Sequence, residues 1–408
     1  MSAGPARALL QRLGAFGDHF ADCFSRSVQR TAASQYLEGL FNDSERKSMQ
    51  AMHGRLSDPV SYQALQHCVT HAPWAAAPLW DRLRTVVPER TGVLAIDDTG
   101  LPKQGRHSVA VKRQYCGALG KTGNCQVAVS SLLLGAALVW PLTCELYVPR
   151  EWIDDGPRRA KVGLPDRLPF REKWRIALAH VRTVRQAGFD VTAVVADADY
   201  GTTAAFRRGL ERAGLRYAVA LRSDVKVQYA NERRTVARTG ASIPARQWRR
   251  VRWGQGTKGP LAARFVALRV RLTGTPGARW LLCERSLTTD ERKFYLLNLD
   301  ATASLQTLVR LARCRWPIEQ QYRELKDDLG WDHFEGRTYR GWSHHTVLTA
   351  VAFTFLQLER LRSPDEPRPT LPTVRLWVRE IMAVLYISGN RRLMNLLLSF
   401  QRNPPLRR

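Results

Sequence analysis

The chain has 408 residues, of which 44% are hydrophobic, and a net charge of +27 from 63 basic and 36 acidic residues. This length allows two or three domains, and the apolar content is sufficient for a sizeable core. So large a positive charge favours a polyanionic partner, with nucleic acid ahead of an anionic membrane surface, although a basic bias of the whole proteome is the alternative explanation.

The cysteines and the apolar stretches indicate the compartment. The seven cysteines include no Cys-x-x-Cys spacing, which disfavours zinc sites and a disulfide framework and indicates a reducing cytoplasm. The N-terminus lacks the pattern of a signal peptide. The longest apolar stretch, 347–358, is too short to cross a bilayer. We therefore expect a soluble cytoplasmic protein with no membrane partner.

The N-terminal region, 1–90, is predicted to be helical. Leu9, Leu13 and Phe16 recur at helical spacing, and the run 57–59, Ser-Asp-Pro, has the capping side chain and early proline of a helix start. Several short helices in a basic chain are compatible with a helix-turn-helix DNA-binding domain and equally with a plain helical cap.

From residue 91 the pattern becomes one of strands joined by short turns, which is typical of an antiparallel meander. The predicted elements are strands at 92–96, 108–111, 125–134 and 139–148, a helix at 170–187, a strand that ends at 196, a helix at 202–213 and a strand at 217–221. Strands, helix, strand, helix, strand and later more helix is the order of an RNase H-like fold, an α/β domain around a mixed sheet.

The fold class that follows is α/β, or α+β over the whole chain. We expect five segments: a helical N-terminal DNA-binding domain at 1–90, the first part of an RNase H-like catalytic core at 91–223, a basic β-rich insertion at 224–300, the final part of the core at 301–362, and a linker with C-terminal helices at 363–408.

The predicted insertion is one-sided in charge. Between residues 226 and 280 its only acid is Glu232, and tryptophans are interleaved with its cations. These cations include Arg249, Arg250, Arg252 and Lys258. A basic sheet with aromatic residues suits the DNA backbone and splayed bases. A solvated face with tryptophans in the core is the alternative.

Three carboxylates lie at the ends of elements that are placed to converge. Asp97 follows the apolar run 93–96, Asp197 follows the run 191–196, and Glu319 lies in a charged helix. Each acid alone is more typical of a turn or of a surface ion pair. Together they suit two hard divalent cations, which bind oxygen ligands and support phosphoryl transfer when they lie about 3.5–4 Å apart. The predicted substrate is therefore a phosphodiester.

The predicted helix around the glutamate, at 315–326, strengthens this interpretation. Arg315, Glu319, Lys326 and either Tyr322 or Arg323 recur at offsets of three, four or seven residues, so they share one face. That face combines an acid able to bind a metal ion with cations able to grip the phosphates on either side.

A series of short motifs extends this pattern along the chain. The motifs begin at Ile96, Ser108, Gly123, Glu151, Ala196, Gly256, Arg315 and Gly330, and they read IDDTGLPK, SVAVKRQY, GNCQVAV, EW, ADADYG, GTKG, RWPIEQ and GWDHFEGR. Over about residues 30–360 the sequence thereby resembles the DDE insertion-sequence transposases, on the IS-four-related branch and closest to the IS seven-oh-one type.

The resemblance implies a catalytic and metal-binding triad of Asp97, Asp197 and Glu319. Asp98 is the alternative to Asp97, because the threonine two residues after Asp97 fits this branch whereas an alignment to more distant relatives could prefer Asp98. Alternate residues of a strand face opposite sides, so we expect only one of the two to bind a metal ion directly.

The resemblance also implies which residues contact DNA. Of the family's tyrosine, arginine, glutamate and lysine signature, the arginine, glutamate and lysine are present and the tyrosine position is Ala312. Trp280 falls where relatives hold a flipped base, which is compatible with stacking on an extruded base and also with a core tryptophan. The predicted DNA-binding residues are Lys103, Arg249, Arg250, Arg252, Lys258, Trp280, Arg315, Arg323 and Lys326.

The expected function is cut-and-paste DNA transposition. The chain would cleave double-stranded DNA at the inverted-repeat ends of an insertion sequence and join them to target DNA. It would use two Mg²⁺ ions, for which Mn²⁺ can substitute, and act as a homodimer or larger synaptic assembly at the bacterial nucleoid. Two alternatives remain open: a catalytically silent DNA-binding protein derived from a transposase, and an RNase H-like structure-selective nuclease that cleaves without joining.

Overall fold

A computed structural model describes residues 3–256, 259–273, 275–363 and 367–389. The N-terminal region is helical, as predicted. Its helices are α1 (Ala3–Asp18), α2 (Ser27–Phe41), α3 (Met49–His53), α4 (Tyr62–Thr70) and α5 (Ala76–Val86). The helix start predicted at 57–59 is wrong, because α4 is capped by Ser61, whose side chain accepts a hydrogen bond from the backbone N–H of Ala64.

The next part of the chain forms a mixed sheet. Its strands are β1 (Thr91–Pro102), β2 (Lys112–Cys116), β3 (Lys121–Leu134), β4 (Val139–Tyr147), β5 (Asp190–Ala196) and β6 (Tyr217–Leu221). β1 is antiparallel to β3 and parallel to β5, β3 is antiparallel to β4, and β5 is parallel to β6. The order β4-β3-β1-β5-β6 confirms the predicted RNase H-like core.

Two strand predictions in this part differ from the structure. β1 runs on past Ile96 to Pro102, so Asp97 and Asp98 lie inside the strand. The strand predicted at 108–111 is a turn, and the strand β2 follows it. This segment bonds to distant loops, since the Val109 N–H donates to the Arg337 carbonyl at 3.0 Å, and a local pattern does not reveal such partners.

Five further helices belong to this part of the chain. They are α6 (Arg150–Ile153), α7 (Gly156–Val162), α8 (Lys173–Gln186), α9 (Ala198–Thr202) and α10 (Ala204–Arg212). α8 packs on β3 and β4, α10 packs beside α8, and α9 lies against β6.

The strands at 226–297 extend the same sheet. They are β7 (Lys226–Tyr229), β8 (Glu232–Thr235), β9 (Arg249–Gly256), β10 (Gly259–Leu272), β11 (Thr275–Arg285) and β12 (Arg292–Leu297), and a short helix, α11 (Val236–Ala241), follows β8. β12 pairs with β6, so the sheet continues β6-β12-β11-β10. Along 268–272, exposed arginines alternate with buried apolar residues in β10.

The last described helices close the other side of the molecule. They are α12 (Leu305–Arg313), α13 (Pro317–Arg323), α14 (Tyr339–Arg362) and α15 (Leu371–Gly389). The single helix predicted at 315–326 is instead α13, which passes into a π-helical turn at Glu324–Asp328. α14 packs against β4, α2, α4 and α5. In the described ranges no helix is both long and apolar enough to span a bilayer.

Candidate active site

Three carboxylates meet on neighbouring parallel strands of the sheet. Asp97 and Asp98 lie on β1, and Asp197 follows β5. One oxygen from each of the three lies within 4.8 Å of the others. The structure thus brings both Asp97 and Asp98 to the cluster, whereas strand alternation predicted one. The Asp97 carboxylate folds back to accept a hydrogen bond from the Asp98 backbone N–H at 2.9 Å.

The backbone around Asp197 explains the ADADYG motif. Asp197 caps α9, accepting hydrogen bonds from the backbone N–H groups of Asp199 at 3.0 Å and Tyr200 at 3.3 Å. α9 lies so close to β6 that a Cβ at Gly201 would be 1.9 Å from the Ala220 carbonyl oxygen. Glycine is therefore required for the approach that places Asp197 beside β1.

The cluster is short of positive charge. Burial raises the pKa of Asp97 to about 7; the nearby Arg315 opposes this rise, and Asp197 and Asp98 add to it. Burial also raises the pKa of Asp197, and Asp98 contributes. Desolvated carboxylates that repel one another are stabilised by a bound cation.

Two side-chain cations already contact the cluster. Arg315 Nη1 lies 2.5 Å from Asp97 Oδ2, and Lys173 Nζ lies 2.7 Å from Asp98 Oδ2. Burial alone would lower the pKa of Arg315, but Asp97, Asp197 and Glu319 together raise it. Arg315 therefore lies within electrostatic reach of all three acids that were predicted to form the triad.

Glu319 takes a different place from the two aspartates. It lies in the first turn of α13 and is exposed, and it is not among the three carboxylates whose oxygens cluster. Its charge nevertheless contributes to the raised pKa of Arg315. The structure thus places Asp97 and Asp197 together and puts Glu319 at the solvent side of Arg315.

Two predicted DNA-contacting lysines have partners inside the protein. Lys326 Nζ donates to Thr99 Oγ1 at 2.7 Å and to the Gly100 carbonyl at 3.0 Å, so it lies against β1. Lys103 Nζ donates to the carbonyls of Asp332 at 3.1 Å and Phe334 at 2.6 Å. An ammonium group has three donors, so each lysine keeps one for another acceptor.

Two buried tyrosines lie near the carboxylates, although the family's tyrosine position is Ala312. The Tyr322 hydroxyl is 2.7 Å from Ser130 Oγ, and its pKa is raised by burial and by Asp97. The pKa of Tyr200 is raised by burial and then by all three clustered aspartates. Within the part of the chain that the structure describes, the Tyr200 hydroxyl has no hydrogen-bond partner.

Sequence reasoning missed Lys173, the partner of Asp98. This lysine is the first residue of α8. A cation there opposes the helix dipole, which favours acids in a first turn. That unfavourable position is the signal that could have indicated a role outside the helix.

The predicted DNA-binding residues of the insertion lie mostly at its surface. Arg249, Arg250 and Arg252 are exposed on β9, and Lys258 lies outside the described residues. Arg323, on α13, is also exposed.

Trp280 is half-buried on β11. Its indole N–H donates to the Asp300 carbonyl at 3.0 Å, and the Arg269 guanidinium lies 4.8 Å from its ring centroid. The ring lines a cleft of about 700 Å³ together with Arg249 and Leu305. The tryptophan is therefore on a cleft wall, with one end fixed by the protein.

The fold and the carboxylate site match known families. The family model described as DDE superfamily endonuclease matches residues 19–260, and that of the transposase DDE domain matches 175–355. The chain belongs to the DDE superfamily of endonucleases, whose transposases use divalent metal ions to cleave DNA.

Two transposases are similar to this chain. The chain is 26% identical, over 348 residues, to the probable transposase for insertion sequence element IS701 of Microchaete diplosiphon, covering 81% of this chain and 82% of that protein. The cryo-EM structure of the piggyBac transposase synaptic complex with hairpin DNA aligns with 94% of this chain and 74% of its own, at a TM-score of 0.46 and 10% identity.

Proposed function

We propose that this chain excises an insertion sequence at its inverted-repeat ends and joins the freed 3′-hydroxyls to target DNA by the cut-and-paste route. The observation that carries the proposal is the cluster of Asp97, Asp98 and Asp197, whose oxygens lie within 4.8 Å of one another. Oxygen ligands for a hard cation, beside the fixed guanidinium of Arg315, suit phosphoryl transfer.

Asp97, Asp197 and Glu319 are the proposed catalytic residues and the ligands of two Mg²⁺ ions, with Mn²⁺ as a substitute. Asp98 is the alternative to Asp97. The residues fit such ions, because every clustered donor is a carboxylate oxygen and the nearby Tyr200 hydroxyl has no partner among the described residues. When bound, the ions activate the attacking water or 3′-hydroxyl and neutralise charge on the leaving oxygen.

The chain's own cations position the DNA around this centre. Arg315 is fixed by Asp97, so its remaining N–H donors are oriented for a phosphate oxygen. Lys103 and Lys326 each have one further N–H donor beside β1. Arg323 is an exposed cation on α13.

The insertion holds the DNA farther from the cleavage point. Arg249, Arg250, Arg252 and Lys258 contact the phosphate backbone in this proposal, and Trp280 stacks on a base that is extruded while a hairpin end forms. Its half-buried ring on the wall of a cleft supports that role.

The five segments expected from the sequence divide this work. The helices of 1–90 add DNA contacts, 91–223 and 301–362 form the catalytic core, 224–300 is the insertion, and 363–408 is a C-terminal tail. Because an insertion sequence has two ends, the active form is a homodimer or larger synaptic assembly, which acts at the bacterial nucleoid.

The test uses purified chain and DNA that carries the inverted repeats flanking its gene. Asp97→Ala, Asp197→Ala and Glu319→Ala should each reduce Mg²⁺-dependent cleavage by several powers of ten and leave DNA binding largely intact, because each removes a metal ligand. Asp98→Ala tests the alternative assignment of the first ligand. Full activity in any of the first three variants would remove that residue from the site, and loss in Asp98→Ala alone would shift the site by one residue.

The same assay separates the alternatives. A transposase gives strand-transfer products joined to target DNA. Cleavage without joining would indicate a structure-selective nuclease, and binding without metal-dependent cleavage would indicate a silent DNA-binding protein.

A further inference from the structure

A second large cleft lies beside the helices that cover the sheet. This α8 cleft has a volume of about 980 Å³ and is lined by residues of α6, α8 and α10 and of the loop before α8. α8 packs on β3 and β4, on one side of β1 and β5 in the sheet, whereas the insertion adjoins β6 on the other side. The cleft is therefore separate from the DNA-binding surface proposed for the insertion.

The lining of the α8 cleft is basic. Its charged residues are Arg150, Arg171, Glu172, Arg175, Arg182 and Arg212. Arg171 pairs with Glu145, and Glu172 lies 3.5 Å from Arg175. Within the described ranges, Arg150, Arg182 and Arg212 have no ion-pair partner.

Two arginines of the cleft lining, Arg150 and Arg175, lie against aromatic rings. The Arg150 guanidinium lies 4.3 Å from the ring centroid of Phe170, and that of Arg175 lies 4.7 Å from that of Trp174. Stacking fixes the plane of a guanidinium and leaves its in-plane N–H donors available, which is the arrangement that binds a phosphate in bidentate fashion. Arg150 is thus oriented for a phosphate group, whereas Arg175 also contacts Glu172.

The residues of α8 that line the cleft start one position after the lysine that contacts the carboxylate cluster. Lys173, whose Nζ contacts Asp98 at 2.7 Å, directly precedes Trp174 of the cleft lining. Arg182 lies nine residues farther along α8, which is about 13 Å at the helical rise. The arginines of α8 in the cleft therefore lie at increasing distance from the end of the helix that contacts the cluster.

We propose that the α8 cleft binds an unpaired DNA strand as it leaves the cleavage site, through phosphate contacts to Arg150, Arg182 and Arg212. The inference rests on the proposed function, since the carboxylate cluster defines where the strand begins. The cleft volume is that of a small-molecule site, which accommodates a few nucleotides and not a duplex. Its aromatic and apolar walls suit the exposed faces of unpaired bases.

The test measures DNA binding without divalent metal by fluorescence anisotropy. The probes are a mixed-sequence duplex of about 20 base pairs and the same duplex with a single-stranded extension of about ten nucleotides, within the range that strand-binding sites cover. Wild-type protein should bind the extended probe more tightly. Arg182→Ala/Arg212→Ala should lose most of that advantage, and its salt slope on the extended probe should fall by about 1.4, from two contacts at about 0.7 each.

Lys161→Ala/Arg167→Ala is the matched control, because it removes the same charge from two exposed residues that lie nearby in sequence but do not line the cleft. It should keep the advantage of the extension. All four side chains are exposed, so both variants should melt like the wild type.

Two results would overturn the inference. One is an extension advantage and salt slope in Arg182→Ala/Arg212→Ala equal to those of the control. The other is that Arg182→Ala/Arg212→Ala binds DNA like the wild type but, without DNA, has a different mass in sedimentation. That result would indicate that the cleft is an interface between protein chains. The assay contains no metal and scores no cleavage, so its result does not depend on whether Asp97→Ala abolishes cleavage. Failure of the cleavage proposal is therefore distinguishable from failure of this one.

Discussion

The carboxylate site and the insertion use the same cationic residue types in opposite ways. At the site, Arg315 is fixed by Asp97 and Lys173 by Asp98, at 2.5 and 2.7 Å. On β9, in contrast, the exposed Arg249 has no ion pair in the part of the chain that the structure describes. Cations held by acids in a desolvated place stabilise charge that develops during reaction. Exposed, unpaired cations release counterions and supply affinity. Changes in the two regions should therefore affect different measurements.

The largest expected effect is on affinity and follows from the insertion. With about 6–10 phosphate contacts, DNA affinity should fall roughly 10³–10⁵-fold between 50 and 200 mM salt, because each contact releases counterions. Binding titrations over this range, at constant pH and without metal, measure the slope. An affinity that does not change with salt would mean that the exposed cations of the insertion do not bind phosphate groups, which contradicts the proposed difference between the two regions.

The next effect tests the rigidity of the carboxylate site. Gly201→Ala should destabilise the protein by about 3 kcal/mol, since overpacking a close backbone contact costs roughly 1–3 kcal/mol or more, and the new Cβ would lie 1.9 Å from the Ala220 carbonyl oxygen. Urea unfolding measures the loss. Gly156→Ala is the control, because a Cβ there has no atom within 4 Å. Equal stability of the two variants would mean that α9 does not depend on this approach to place Asp197.

A third prediction tests whether the exposed arginines of the insertion contact phosphate groups. Arg249→Ala, Arg250→Ala and Arg252→Ala combined should weaken binding and reduce the salt slope by up to about 3 units, one for each phosphate contact. The melting temperature should stay close to that of the wild type, because exposed arginines contribute little to stability. A full salt slope in this variant would place the phosphate contacts elsewhere.

The smallest expected effect concerns Trp280, on strand β11 of the insertion. Trp280→Ala should leave nicking intact and impair hairpin formation or resolution, with a loss of about 1–3 kcal/mol of base stacking. A melting curve measured beside the cleavage products is the check. A loss of roughly 3–5 kcal/mol of stability, with every activity reduced together, is the result for a core tryptophan and would contradict the stacking role.

Much of the fold follows from local sequence pattern. The strand predicted at 217–221 is β6, and the runs that end before Asp97 and Asp197 are the parallel strands that carry the acids. Two predictions were wrong for different reasons. The segment at 108–111 bonds to the distant loop at Arg337, whereas α4 is capped by the side chain of Ser61 and not by one at 57–59, although both lie in the same short stretch.

The sequence predicts the aspartates of the site but not the lysine that pairs with one of them. Asp97 and Asp197 follow visible strands, but Lys173 reaches Asp98 from a helix 75 residues later in the chain. The inclusion of Asp98 depends on side-chain torsion, which a strand period does not specify. The arginines of the α8 cleft come from three separate segments, so no local spacing reveals them.

The continuous sheet fixes the distance between Trp280 and the carboxylate cluster. β11 lies three strands from β5, and neighbouring strands are about 4.8 Å apart, so Trp280 is held about 14 Å from the strand that precedes Asp197. The hydrogen-bonded strands between them keep this distance constant. If Trp280 stacks on a base and the aspartates bind the metal ions, as proposed, the number of strands between them sets the distance from that base to the cleaved bond, and an added or deleted strand would move the cut.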